Sequence, residues 1–351
     1  MPGVKEQLLA ARGLTDASVR AAFCNPDLNA RYTACKHDPF LLPDMAAAVQ
    51  RILLAKERNE LIYIYGDYDI DGITATTILL EAFAKFGLRR EAFIPNRFVE
   101  GYGLTKDAIT ALHERGAQLV VTVDCGSLSH DEIAHANSLG MEVIVTDHHN
   151  VAEVMPAAVA VVNPKRPDHT YPFKDLAGCG VAFKLVQALQ TKLTGFPDGH
   201  EKLLLDLVAF GTVCDVVPLV DENRANVFCG LAVMAQARRP GFKALMAVTD
   251  TSPQKITART LGFVFGPRLN ASGRLETAQH SLDLLTATDP MQAYSMAQKL
   301  QDMNLKRRAA QDKIAKAARA QAETFTHDPV LVLSGKDWSH GVIGIVAAKM
   351  L

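Results

Sequence analysis

Three short, largely apolar runs in this chain each end abruptly in acid or imidazole. Leu61–Tyr65 runs into Gly66 and then meets Asp67, Asp69 and Asp71 in "LIYIYGDYDIDGITATT". Gln118–Val123 stops at Asp124, and Glu142–Thr146 stops at Asp147, His148 and His149. Apolar runs without polar alternation predict strands buried on both faces, as in parallel sheets. Helical patterns separate them: Ile73–Phe86 closed by Gly87, Thr105–Glu114 before Gly116, and His130–Leu139 before Gly140. Shorter strands are expected at Ala92–Ile94 and Val159–Val162, and a helix at Asp44–Asn59. The alternation predicts an α/β fold, a parallel sheet flanked by helices. Ligands of such sheets sit beyond the carboxyl ends of the strands. If these strands are neighbours, all three acidic ends face one crevice.

Crowded carboxylates must take up protons or bind cations. Oxygen donors with a minority of imidazole suit Mg²⁺ or Mn²⁺, the histidine favouring manganese. Two divalent ions are therefore expected, and with them metal-assisted hydrolysis of a phosphoester. Plainer roles stay open for single residues. Asp67 can cap the helix that opens near Gly72, Asp124 can form a turn with Cys125-Gly126, and one of His148 and His149 can be a core residue.

A chain of 351 residues, 48% of them hydrophobic, has material for a full core and more than one domain. The net charge of −1 gives no overall field for a polyanion, so nucleic-acid binding would rest on local basic patches. No basic-then-apolar leader and no membrane-length apolar run is seen, and a soluble cytoplasmic protein is expected. Cys24, Cys35, Cys125, Cys179, Cys214 and Cys229 form no C-x-x-C pair, which argues for scattered thiols rather than structural zinc.

Beyond Gly178 the pattern is mostly helical to about Thr286, and one long helix is expected over Pro290–Phe325 with Met296, Leu300 and Met303 on its apolar face. Its later half carries Lys306, Arg307, Arg308, Lys313, Lys316 and Arg319, a face that suits either solvent or nucleic acid. A strand is expected at Val330–Leu333, followed by a helix in "HGVIGIVAAKML" where the sequence stops. That ending predicts a truncated second α/β domain. The expected division is a helical segment 1–59, a catalytic domain 60–288, a connecting helix 289–326 and the start of a further domain 327–351.

"DYDIDG", "VDCGS", "TDHH" and "GTVCDVVPL" resemble the ordered motifs of the DHH phosphoesterase superfamily. "GDYDIDGITAT", "GPRLNASGRL" and "WSHGVIGIVAAKML" resemble its RecJ family of bacterial single-strand DNA 5′→3′ exonucleases, from about Tyr63 to the C-terminus. The resemblance implies that Asp69 binds one metal and Asp71 the other, with Asp124 bridging. His148 and Asp215 would complete the ligands of the second metal, Asp147 would orient the site from behind them, and His149 would contact the scissile phosphate. Tyr65 departs from the pattern: many members carry a metal-binding histidine at that position, four residues before Asp69, and Asp67 is the candidate substitute.

For the substrate, Arg97 in "IPNRFVEGYGL" offers a bidentate phosphate clamp, or else an ion pair with Glu100. In "FGPRLNASGRLE", Arg268, Asn270 and Arg274 supply donors beside small residues that admit a ligand, unless the segment is a loop tying helices together. The final segment resembles the start of a DHH-associated substrate-binding domain. The resemblance implies exonucleolysis of single-stranded DNA in repair and recombination by a monomer, with single-strand-binding protein or a RecQ-type helicase as partners. The alternatives are a DHH enzyme acting on short oligonucleotides or cyclic dinucleotides, and a non-catalytic single-strand-binding scaffold. The absence of G-x-G-x-x-G after the first strand argues against a dinucleotide-dependent dehydrogenase.

Overall fold

The computed structural model describes residues 3–24, 36–197, 199–325 and 330–350. Cys35 lies outside them, and the other five cysteines are free thiols. Helices α1 (Val4–Ala11), α2 (Ala17–Cys24) and α3 (Met45–Glu57) lead into β1 (Ile62–Gly66). There follow α4 (Ile70–Lys85), β2 (Arg90–Phe93), α5 (Lys106–Glu114), β3 (Leu119–Val123), α6 (His130–Ser138), β4 (Glu142–Thr146) and β5 (Ala160–Val162). All pairings are parallel, in the order β2-β1-β3-β4-β5. The chain steps outward from β1 to β2 and then returns to β3 on the other side of β1. The strand order therefore reverses at the β1–β3 boundary, where parallel sheets open a crevice.

Side chains alternate between two cores. Ile62, Ile64, Val121 and Ile144 pack under α3 and α4, while Tyr63, Tyr65, Val120, Val143 and Val145 pack against α5 and α6. Both faces are apolar, so the strands read as continuous runs. The strand ends are in register, with Gly66 opposite Val123 and Val123 opposite Thr146. This alignment puts the residues that follow β1, β3 and β4 at one level.

The remainder is helical. Helix α7 (Gly178–Gln190) lies in the first core with α8 (Leu205–Cys214) and α9 (Asp221–Met234), and α10 (Pro240–Val248) follows. A π-helical turn at Leu261–Phe265 runs into α11 (Gly266–Leu275), then α12 (Gln279–Thr286), the 33-residue α13 (Pro290–Ala322) and α14 (His340–Met350). "GPRLNASGRL" is thus helix rather than loop, with Pro267 in the first turn, where its missing N–H costs nothing. Its small residues serve close packing against protein: Gly273 faces the Tyr68 carbonyl, and Ser272 bonds the Leu269 carbonyl and Ser281. On α13, Leu300 and Met303 are buried as expected, and farther along Ile314 and Ala318 pack on Val342 and Val346 of α14. Val330–Leu333 is not a strand. Among the described residues its β-branched pattern has no neighbouring strand to complete a hydrogen-bonded ladder.

Helices α8 and α9 meet most closely at Gly230, where a Cβ would collide with the Leu205 carbonyl oxygen and the Ala209 methyl. The obstacle is backbone, which a rotamer change cannot relieve. Gly230→Ala is expected to cost roughly 1–3 kcal/mol by overpacking, whereas Gly140→Ala, at φ +78° with open space around it, should cost only about 1 kcal/mol of left-handed strain. Urea unfolding of the two variants checks the order.

Candidate metal centre

Helix α4 starts three residues earlier than the periodicity suggests, and this decides the role of each aspartate. Asp69 is the N-cap and accepts from the Gly72 amide at 3.1 Å. Asp71 lies in the first turn, and Asp67 precedes the helix, buried, with Oδ1 lacking any hydrogen-bond partner. The cap is Asp69, which frees Asp67 for the crevice. Tyr65 supplies nothing there. Its ring turns into the second core beside Phe93, and its hydroxyl donates to the Gly103 carbonyl at 2.9 Å.

Asp124, directly after β3, is 2% exposed and sits at φ +61°, a left-handed conformation that aspartate tolerates better than most residues. Nε2 of His148 lies 3.0 Å from its Oδ1, without the alignment of a hydrogen bond. The same nitrogen lies 3.7 Å from oxygens of Asp71 and Asp215. Asp215 caps the C-terminal end of α8, so the helical half of the chain completes the cluster. Two sets of ligand atoms emerge within metal-holding distance, Asp67–Asp69–Asp124 and Asp71–His148–Asp215, with Asp124 also near His148 and His149. Asp67 Oδ1, Asp124 Oδ1, His148 Nε2 and Asp215 Oδ2 are all buried with no hydrogen-bond partner. Four such atoms side by side are intolerable without protons or cations. An oxygen-rich set with one imidazole fits Mn²⁺ or Mg²⁺.

The charges act on one another accordingly. Burial, then the charge of Asp69, pushes the Asp67 carboxyl up to about 7. Burial and Asp71 do the same for Asp215, also to about 7. Asp124 is driven well above the carboxylate range by burial and by Asp71, Asp69 and Asp67. Burial lowers His148, keeping its imidazole neutral and able to ligate.

Asp147 behaves oppositely. Burial alone would raise it, but its oxygens accept from the His149 ring at 2.8 Å and from the amides of Ser127, His148 and His149 at 3.0, 2.7 and 3.1 Å. These donors hold it well below the usual range, a fixed anion that orients its neighbours. The hydrogen bond that the His149 ring donates to Asp147 in turn raises His149, whose ring is half exposed beside Tyr102.

Several contributors carried no charge to betray them in the sequence. The amides of Gly178 and Cys179, at the N-terminus of α7, donate to the two oxygens of Asp71 at 2.6 and 2.9 Å. A Cβ at Gly178 would strike the Asp124 side chain at 2.7 Å. Asn163 donates to both Ser127 Oγ and the His149 carbonyl at 2.9 Å. The only advance signal was small residues in "AGCGVAF" at a helix start.

The arginines divide. Arg97 makes no ion pair with Glu100, which instead accepts from the Asn96 amide at 2.7 Å. Its guanidinium lies 4.2 Å from the Tyr68 ring centre, with Nε buried and unpartnered, and its charge is felt at Asp67. Arg274 donates to the Gly341 carbonyl at 3.0 Å and is depressed by burial and then by the Arg97 charge. Arg268 is committed elsewhere, to Gln301 and the Val264 carbonyl. Asn270 lines a cleft of about 590 Å³ with Arg274 and Arg307.

A parallel sheet with carboxylates and imidazoles gathered at its reversal point is the arrangement of a DHH-family domain, and the family model described as "DHH family, N-terminal domain" matches residues 61–212. Within that class the chain belongs to the RecJ family. It is 40% identical to the single-stranded-DNA-specific exonuclease RecJ of Bacillus subtilis over 90% of its length, and 39% identical to that of Escherichia coli over 88%. It covers 39% and 56% of those proteins, so it spans only part of their length. A crystal structure of RecJ bound to manganese superimposes with a TM-score of 0.80 at 33% identity, covering 88% of this chain and 77% of the other. Manganese-bound RecJ from Thermus thermophilus also gives 0.80, at 29% identity, covering 98% of this chain and 48% of that one.

Raised carboxyls set a pH dependence. Between pH 4 and 7 the folded metal-free protein retains protons on Asp67 and Asp215 that the unfolded chain has lost. Stability therefore falls as pH rises through that window. In EDTA, the Tm of the wild type is expected to drop from pH 5 to pH 8 more steeply than that of Asp67→Asn/Asp215→Asn. Added Mn²⁺ should restore more at pH 8 than at pH 5, because the ion displaces protons. Parallel slopes in differential scanning fluorimetry would contradict this account of the centre.

Proposed function

We propose that the chain hydrolyses phosphodiester bonds of single-stranded DNA from the 5′ end, using two divalent ions, Mn²⁺ or Mg²⁺. The observation that carries this reading is the convergence of four buried, unpartnered ligand atoms from β1, β3, β4 and α8 on one crevice. Asp67, Asp69 and Asp124 would hold one ion, and Asp71, His148 and Asp215 the other, with Asp124 shared. When bound, the ions supply Lewis acidity and lower the pKa of water. The protein does the rest. Asp147 fixes the His149 ring through Nδ1, which leaves Nε2 to donate to a phosphate oxygen. Arg97, braced on Tyr68, presents unused donors to a neighbouring phosphate. Arg274 and Asn270 would meet the strand farther out, while the bonds of Arg268 favour a structural role.

The full ligand set argues against a non-catalytic scaffold. Single-strand preference follows the names of the relatives. By family resemblance, the proposal extends to a cytoplasmic monomer acting beside single-strand-binding protein or a RecQ-type helicase. No described helix is long and apolar enough to cross a membrane. The proposed division keeps 1–59 as a lead-in, 60–288 as the catalytic unit, 289–326 as connector and 327–351 as part of a substrate-binding unit.

Digestion of a 5′-phosphorylated single strand, its duplex and a dinucleotide in Mn²⁺ tests the reading, with the single strand expected to be cut fastest and to release products from the 5′ end. Asp124→Asn keeps a side chain suited to left-handed φ but loses the shared charge. It is expected to lower kcat at least about a hundredfold, since even outer-shell changes cost 10–100-fold, with the Tm in EDTA preserved. Near-normal turnover would remove Asp124 from the centre. Arg97→Ala is expected to raise KM roughly tenfold, with a smaller effect on kcat, through loss of a charge-assisted phosphate contact. Steady-state kinetics with unchanged KM and kcat would make Arg97 structural.

A further inference from the structure

Strand β2 bounds the sheet on one side, and no strand among the described residues continues the ladder beyond it. The Arg89 carbonyl accepts from the Ile62 amide at 3.0 Å, which turns the backbone groups of Arg89, Glu91 and Phe93 toward β1. The N–H and C=O of Arg90 and Ala92 therefore point away from the sheet, two donors and two acceptors without a strand partner. The exposed charges of Arg90 and Glu91 discourage indiscriminate pairing but leave this backbone open. A cleft of about 900 Å³ adjoins the edge and touches Arg90, Glu91 and Ala92 in succession. Neighbouring side chains on a strand point to opposite faces, so a cleft that meets three in a row follows the edge rather than one face.

The other walls are α4, α12 and the 3₁₀ turn His200–Leu204. Their position is fixed. Gly195, at φ +105°, lies so close to the end of α4 that a Cβ there would stand 2.3 Å from the Lys85 carbonyl oxygen. Gln190 donates to the Pro197 carbonyl at 3.2 Å. Leu80, Ala84, Phe196 and Leu203 give the cleft an apolar lining, with Leu203 38% exposed. The charges along it do not cancel. Glu81 is taken up by Arg239, and Glu91 by the Tyr63 hydroxyl. The exposed side chains of Lys85 and His200 have no hydrogen bond or ion pair among the described residues, and Arg90 reaches only the Leu80 carbonyl, at 3.4 Å. Open main-chain groups, an apolar lining and unspent cations make three demands on one occupant: an extended backbone, apolar side chains at alternate positions, and carboxylates. A nucleic acid would meet only the last, with its phosphates.

We propose that β2 and this cleft dock an extended acidic and apolar peptide of a partner protein, which adds to the five-stranded sheet as a sixth strand. Main-chain bonds to Arg90 and Ala92 hold the peptide, its apolar side chains enter the cleft, and Lys85, Arg90 and His200 select its carboxylates. The surface uses no residue of the metal centre and stands independently of the hydrolase reading.

The probe is a fluorescein-labelled peptide of alternating valine and serine with three aspartates at one end, made with the acidic end leading or trailing and read by fluorescence anisotropy. One orientation should bind, and lysine in place of its aspartates should weaken binding at least about tenfold. N-methylation of one alternate set of peptide amides should abolish binding while methylation of the other set leaves it, because only one set faces β2. Lys85→Glu/Arg90→Glu should reverse the preference in favour of the lysine peptide, with its Tm and its Tm gain in Mn²⁺ unchanged. Ala92→Pro, which deletes one outward amide at an edge position, should bind about tenfold more weakly, the scale of one lost hydrogen bond. Absence of binding in both orientations, indifference to both methylated sets, or undiminished affinity in Lys85→Glu/Arg90→Glu overturns the proposal. Self-association in sedimentation velocity that the same double variant abolishes would assign the edge to a second copy of the chain and overturn it as well.

Discussion

Unpaired negative charge, taken out of water at the point where the strand order reverses, is the constraint around which this molecule is arranged. The parallel register fixes Asp67–Asp71, Asp124 and Asp147–His149 at one level of the sheet, and α8 brings Asp215 to meet them. Two carboxylates receive full hydrogen bonding. Asp71 takes the first amides of α7, and Asp147 takes three amides and an imidazole. Asp67, Asp124 and Asp215 are each left with one buried oxygen that receives no hydrogen bond. Asp147, held low by its donors, keeps a fixed charge and acts as a prop. Groups denied donors exchange protons for dications, which is what a reversible metal site requires.

Much of this could be read in advance because parallel strands buried on both faces leave a continuous apolar trace, and because acids at their carboxyl ends point outward. Asp69, Asp71, Asp124, His148 and Asp215 stand out in the sequence, and the fold brings them together. What stayed hidden was the work of backbone. The amides of Gly178 and Cys179 hold Asp71, yet "AGCGVAF" carries no polar side chain to advertise it. Asn163 braces Ser127 and His149 from a segment that reads only as a strand stop before Pro164. Helix α11 was obscured by glycines and a proline, residues that break helices in isolation but here permit close approach to Tyr68. Val330–Leu333 shows the reverse error, since β-propensity expresses itself only against a partner strand.

The cations form the outer layer of the same design. With a net charge of −1 the chain draws no polyanion from a distance. Of the basic residues on the later half of α13, Lys306, Arg308, Lys313, Lys316 and Arg319 face solvent, while Arg307 turns into the cleft beside Arg274. Arg97 stands over Tyr68, near enough for its charge to be felt at Arg274. Arg274 and Arg307 are partly desolvated and bonded to neutral groups, so on the proposed function they would be open to an incoming phosphate.

Placed next to one another, the two layers imply an order of events. On the proposed function, an ion-free crevice with several carboxylates would repel the phosphodiester that the arginines attract, and the repulsion would grow as Asp67 and Asp215 ionise near pH 7. Bound dications would reverse the sign of the crevice. Metal loading and strand binding are then thermodynamically linked: each raises the affinity for the other, because both relieve the same uncompensated field. On this argument the arginines alone cannot hold a strand across the centre, and the centre alone cannot choose one. The grip at the rim becomes productive only when the charge at the floor has been inverted.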